Sequence, residues 1–336
     1  MENILNANLK IKNSFSDETL LNEQNNRMTV YPIEYPKIWN VYKLQQAAFW
    51  TAEEIDFSND YSDFQKLSDN EKHFIKMVLA FFAASDTIVN MNLSERFINE
   101  VQIIEAKICY TYQMMIESIH SEVYSLMIDN IVRDKQEKNK LLNALTEYPC
   151  INKKAQWAIK WIKSTASFAQ RLIAFAIVEG VFFSGSFCSI FWLKKKNVMG
   201  GLCDSNELIA RDENQHCEFA ILLYSMIKHK IDEEIVHNMF KEAYEIEKEF
   251  ICDSLKCSLI GMNNKSMTEY IEFVSDRLLK QLNYKPIFGT INPFDFMESI
   301  SMEGKTNFFE SRPTQYQKSS ILNESKDVNF NATDDF

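Results

Sequence analysis

With 336 residues, of which 46 % are hydrophobic and 13 % aromatic, the chain can bury a large core as one domain or two. Only 7 Gly and 6 Pro leave little turn chemistry for an all-β fold, and the absence of any G-x-G-x-x-G or Walker-type loop argues against nucleotide binding through a glycine-rich loop. A formal charge of -11 disfavours coating nucleic acid, which calls for lysine and arginine concentrated on one face.

Residues 1–30 are polar and Asn-rich, without an apolar run of signal-peptide length, so a flexible segment and no secretion are expected. Tyr31-Pro32-Ile33-Glu34-Tyr35-Pro36 reads as an extended approach to a folded body over 31–309. Apolar steps of three and four predict helices over about 38–49 and 68–99, the second with Phe74, Met77, Val78, Phe81 and Phe82 in register. Further helices are expected over about 101–130, 134–146, 151–164, 168–196, 204–229, 233–260 and 265–283, punctuated by Pro149, Gly200-Gly201, Gly261 and Asn263-Asn264. Leu172 to Leu193 is long enough to span a membrane, but Glu179 in its middle would be costly in lipid, so it reads as a central buried helix. The following Lys194-Lys195-Lys196 suits a solvated helix C-terminus. Beyond about Phe309 the composition turns polar, and 310–336 is expected to be a flexible tail. Seven cysteines form no C-x-x-C pair, which fits reduced thiols in a cytoplasmic protein.

Two Glu-x-x-His words, Glu117-Ser118-Ile119-His120 and Glu213-Asn214-Gln215-His216, lie in apolar helical stretches. A helix puts residues i and i+3 on one face, so each word aims a carboxylate and an imidazole at one point. Each has a lone acid upstream, Asp86 and Glu179, the latter flanked by Phe175, Ile177, Val178, Val181, Phe182 and Phe183. Carboxylates in such surroundings need a buried partner, and two divalent cations would balance four of them. Oxygen ligands mixed with imidazole suit iron or manganese rather than zinc-thiolate. A third word, Glu234-Ile235-Val236-His237, follows Lys230, Asp232 and Glu233 at a polar helix start and is assigned to solvent. The pattern predicts an all-α, ferritin-like di-metal carboxylate bundle with additional helices. Such a bundle can be an iron store, a hydroxylase, a desaturase or another oxidase. Tyr124 shares the face of Glu117 and His120 and projects beside the metals, where a radical site and an ordinary core tyrosine fit equally well.

The segments YPIEYPKIW, FWTAEEID, LAFFAASDTIVN, IESIHSEVYSL, VEGVFFSGSFCSIFWLKKK, SNELIARDENQHCEFA and NPFDFMESISMEGKTNFFE resemble the small, radical-generating subunit of class I ribonucleotide reductase of the eukaryotic type. The resemblance implies two iron ions per chain, with manganese possible at one site. Asp86, Glu117 and His120 would hold one ion and Glu179, Glu213 and His216 the other, with Glu117 able to bridge. It further implies that Tyr124 stores a radical after the metals reduce oxygen, shielded by Phe183, Phe187 and Ile209. Trp50 and Asp212 would link to His120, and Tyr316 would carry the radical towards a large catalytic subunit that reduces ribonucleoside diphosphates. Docking would use the tail, with Phe330 and Phe336 as anchors and Ala332 in place of a larger apolar residue. A homodimer without nucleic-acid or membrane partners is implied as well. Besides the storage and oxidase readings, a regulatory partner of an active small subunit is the remaining alternative.

Overall fold

The computed structural model describes residues 17–260 and 262–297, and among these residues there are helices and no strands. In chain order the helices are α1 (Pro36–Ala47), α2 (Asp60–Lys66), α3 (Asp69–Asn92), α4 (Ile104–Ile131), α5 (Lys135–Leu142) and α6 (Pro149–Ile162). They continue as α7 (Phe168–Ile177), α8 (Ser184–Lys194), α9 (Gly200–Met226), α10 (Glu233–Lys248) and α11 (Asn264–Gln281). Several of their starts carry ordinary helix-initiating chemistry. Pro36 and Pro149 sit in the first turns of α1 and α6, where the missing N–H costs nothing. Ser68 with Glu71, and Ser167 with Gln170, close capping boxes on α3 and α7.

The centre of the molecule is α3 laid along α4, with α7 and α8 packed on α9 and α9 touching α4. Helices α7 and α8 are joined through a π turn, Val178–Phe182, and are buried almost throughout; of the two stretches among the described residues long and apolar enough to cross a membrane, Asp69–Glu100 and Phe168–Lys194, the second is the more deeply buried. That is the fate expected for a helix apolar on all sides in a large helical protein.

Three expectations change. Residues 17–30 lie on the body: Leu20 is fully buried, its carbonyl accepts from Gln102 N at 2.7 Å, and the Glu18 carboxylate takes the amides of Lys228 and His229 at 2.9 Å each. Buried leucine and a satisfied carboxylate outweigh the polar composition there, so the packed body begins before Tyr31. Gly200-Gly201, expected as a break, is instead the first turn of α9. The cause is tertiary: Asp60 on α2 accepts from Gly201 N at 3.0 Å and Leu202 N at 2.8 Å, acting as a cap borrowed from another helix. Finally, the expected helices over 168–196 and 233–260 are interrupted by π turns, Val178–Phe182 and Glu249–Ser254.

Candidate metal centre

The six expected ligands come from α3, α4, the π turn and α9, and all of them are buried. Asp86 faces inward from the last third of α3, and Glu117 and His120 project from one face of α4. Glu213 and His216 do the same from α9. Glu179 sits within the π turn, a distortion that recurs at functional sites because it re-aims a side chain without ending the helix.

Ligand atoms of Glu117, Glu179, Glu213 and His216 all lie within 4.8 Å of one another. The Glu213 carboxylate spans both imidazoles, with Oε1 3.0 Å from His120 Nδ1 and Oε2 3.0 Å from His216 Nδ1. Glu117 does likewise, Oε1 lying 2.9 Å from His216 Nδ1 and Oε2 3.6 Å from His120 Nδ1, but neither contact is aligned as a hydrogen bond. Both carboxylates therefore lie between the two imidazoles, Glu213 as well as Glu117, the one that the resemblance makes able to bridge. Asp86 stands outside the four-residue group, with Oδ1 3.4 Å from Ser85 Oγ.

The electrostatics describe a site short of positive charge. Burial, then the charge of Glu117, pushes the Asp86 carboxyl well above its usual range. Burial, then Glu213 and Glu117, does the same to Glu179. Burial alone would raise Glu213 as well, yet hydrogen bonds from His120 and His216 hold it below the carboxylate range. Burial would depress both imidazoles, but their carboxylate neighbours win, lifting His120 well above its ordinary value and His216 to about 9. The two histidines thus stand in for part of the missing charge.

Four oxygens show what else the site accepts: Asp86 Oδ2, both oxygens of Glu117 and Glu179 Oε2 are buried without hydrogen-bond partners. Orphaned carboxylate oxygens are expensive unless a cation takes them. Hard oxygens with two imidazoles fit a pair of divalent first-row ions. The residues present therefore fit a dimetal centre.

Behind His120 runs a hydrogen-bonded line. Trp50 Nε1 donates to Asp212 Oδ2 at 2.7 Å, the same oxygen lies 3.3 Å from His120 Nε2, and the indole stacks on the imidazole with centroids 6.0 Å apart. Burial would raise Asp212, but Arg211, followed by His120 and Trp50, holds it below its usual value, and Arg211 Nη2 meets Oδ1 at 2.8 Å. His120 is thereby fixed with Nδ1 towards the cage.

Tyr124 is buried against an aromatic box. Phe82 stacks on its ring at 4.6 Å and 7°, and Phe183 and Phe187 pack on Phe82 at 5.8 and 4.9 Å. The Tyr124 hydroxyl is buried and unpaired, and burial, then the charges of Asp86, Glu213 and Glu117, pushes the phenol well above its ordinary value. Ile209 is buried on α9. Glu234, by contrast, is exposed, and the His237 ring meets the carbonyl of Lys285 at 2.9 Å, so the third word lies away from the cage. Tyr316, Phe330 and Phe336 lie outside the described residues.

Four neighbours were not assigned to the site from the sequence. Phe82 and Gln113, whose Nε2 donates to Glu179 Oε1 at 3.1 Å, each lie four residues before a ligand, and that spacing could have found them. Ser85 and Arg211 each adjoin a residue already singled out, and nothing in their local sequence marks them.

The ribonucleotide reductase small-chain family matches residues 27–293. The small chain of ribonucleoside-diphosphate reductase from Plasmodium falciparum is 55 % identical over 314 residues, spanning 94 % of this chain and 90 % of that one. The corresponding small subunit from Dictyostelium discoideum is 56 % identical over 305 residues, spanning 90 % of each chain. Among solved structures, the Rnr4 homodimer of Saccharomyces cerevisiae superposes with a TM-score of 0.78 at 37 % identity, covering 90 % of this chain and 99 % of that one. The dimanganese(II)-NrdF of Streptococcus sanguinis shares the fold with a TM-score of 0.73 at 20 % identity, covering 83 % of this chain and 99 % of that one. The chain belongs to the small-subunit family of ribonucleotide reductase.

Proposed function

We propose that this chain stores an oxidising equivalent on Tyr124 and delivers it to a separate large subunit, where ribonucleoside diphosphates are reduced. The observation that carries the reading is the Tyr124 phenol, buried, unpaired and stacked on Phe82 beside a cage of unpaired carboxylates. Asp86, Glu117 and His120 would hold one ion and Glu179, Glu213 and His216 the other. A redox-active pair of ions, iron in both places or manganese in one, would supply the oxidising power by reacting with dioxygen.

The protein's own residues do the rest. Burial keeps the phenol neutral, so its oxidation releases a proton together with the electron. Among the carboxylates the charge of Asp86 bears most on the phenol, ahead of Glu213 and Glu117. Phe82, Phe183 and Phe187, with Ile209, exclude water and reductants from the oxidised ring. Trp50 reaches the cage through Asp212, a route for an electron to His120 and for a later return towards the partner. Tyr316 would continue that route, with Phe330 and Phe336 anchoring the tail on the large subunit. A homodimer is the assembly we infer, and the free thiols at Cys109, Cys150, Cys188, Cys203, Cys217 and Cys252 suit a reducing, cytoplasmic location.

The test is an electron paramagnetic resonance spectrum after ferrous iron and oxygen are added to the apoprotein. A tyrosyl signal that disappears in Tyr124→Phe, with metal content unchanged, supports the reading. Two bound ions without any radical would move the protein to the storage or oxidase class.

A further inference from the structure

Apart from the metal cage, one pair of opposite charges among the described residues is wholly enclosed. Lys154 on α6 and Glu247 on α10 are 1 % and 0 % exposed, with Nζ 2.6 Å from Oε2. A buried ion pair is weak evidence for stability, since desolvation can cancel the attraction, so its contacts decide what it does. Both partners reach the same stretch of backbone. Lys154 Nζ donates to the carbonyl of Phe182 at 2.6 Å, and Glu247 Oε1 accepts from the amide of Gly185 at 3.2 Å.

Those two backbone groups flank the exit of the π turn that carries Glu179. A π turn adds a residue to the helical ladder and shifts its register, so groups at its exit need partners from elsewhere. Here they find them in side chains from two other helices. Gly185 is fitted to this arrangement: a Cβ there would lie 2.7 Å from Glu247 Oε1 and 2.6 Å from Ile251 Cγ1. The ammonium also sits over the Phe81 ring, 3.6 Å from its centroid, and Phe81 packs edge-on against Phe183 at 5.9 Å. The pair therefore touches the π turn on one side and the aromatic box of Tyr124 on the other.

We propose that Lys154 and Glu247 are positioning residues that clamp the π turn at Phe182 and Gly185 and so fix the aim of Glu179 into the metal cage. The consequence for metal binding rests on reading Glu179 as a ligand; the clamp itself does not. Removing both charges leaves neither stranded, so Lys154→Met/Glu247→Leu is the informative variant.

Two readouts are made on the apoprotein: backbone hydrogen exchange by mass spectrometry, and titration with Mn(II) followed by electron paramagnetic resonance. In the double variant, exchange over residues 178–187 accelerates about tenfold or more while 69–92 and 104–131 keep their rates, and one of two bound Mn(II) ions weakens by about tenfold. Should the double variant not fold, Gly185→Ala carries the same test, because its methyl displaces the Glu247 carboxylate with both charges retained. Unchanged exchange over 178–187, or acceleration spread evenly over the helices, overturns the clamp. Local loosening with both Mn(II) affinities intact overturns its role in aiming Glu179. A parent chain that binds no Mn(II) contradicts the metal reading instead, and the exchange pattern then decides the clamp alone.

Discussion

The two halves of the cage are built by different means. Asp86, Glu117 and His120 stand on α3 and α4, which run as regular α-helix through the ligand positions, so their convergence follows from helical periodicity and from the packing of two amphipathic helices. Glu179, Glu213 and His216 depend on tertiary devices. Glu179 occupies a π turn held at its exit by Lys154 and Glu247. The helix carrying Glu213 and His216 begins after Met199, whose φ of 55° lies in the left-handed region, and its first amides are capped by Asp60. One half can be assembled from local sequence, whereas the other is assembled only when distant helices meet.

The comparison yields predictions that break or sharpen it. The largest effect belongs to Glu213→Ala, because that carboxylate spans both imidazoles. Metal analysis of the purified variant should find at most one ion per chain; two retained ions would show that the halves do not share it. Asp212→Asn acts on the regular half alone, loosening the grip on His120 and breaking the link to Trp50. It should weaken one ion by about 10–100-fold in a titration and leave the other unaffected.

A change of pH affects both halves. Asp86 and Glu179 have raised values and hold protons in the absence of metal, as do the raised imidazoles of His120 and His216. Ions must displace these protons, so apparent affinity rises with pH, including through the His216 value of about 9. Calorimetry in buffers of different ionisation heat should show protons released on loading; affinity independent of pH would contradict the assigned charges. The smallest effect is Gly201→Ala, whose methyl would come within 2.6 Å of the Asp56 carbonyl and of the Phe57 ring. It should cost about 1–3 kcal/mol in thermal or denaturant unfolding and leave ion stoichiometry intact.

The same contrast explains what could be read in the sequence. The helical class, the position of most helices and the six candidate ligands were legible because buried acids among aromatic neighbours and i, i+3 spacing are local signals. Tyr124 was marked by its helix face, its radical role and the parts of Trp50 and Asp212 came from resemblance, and the hydrogen bond of Trp50 and the ring stacking of Tyr124 give those residues a physical setting. The start of α9 was misread because Gly200-Gly201 normally ends a helix, and only Asp60, far away in the chain, supplies the cap that reverses that preference. The π turn escaped notice for a similar reason, since the apolar pattern runs through Val178–Phe182 without a break and its partners Lys154 and Glu247 lie on other helices. Residues 17–30 were misjudged by composition, because two buried leucines, Leu20 and Leu21, and the well-placed Glu18 carboxylate hold them on the body.

The most direct test of the cage is anomalous diffraction from crystals of the apoprotein soaked with Mn(II). The account predicts two peaks per chain, one touching Asp86, Glu117 and His120 and the other touching Glu179, Glu213 and His216, with Glu117 and Glu213 facing both. A single peak, or ions bound only at surface carboxylates, would contradict it.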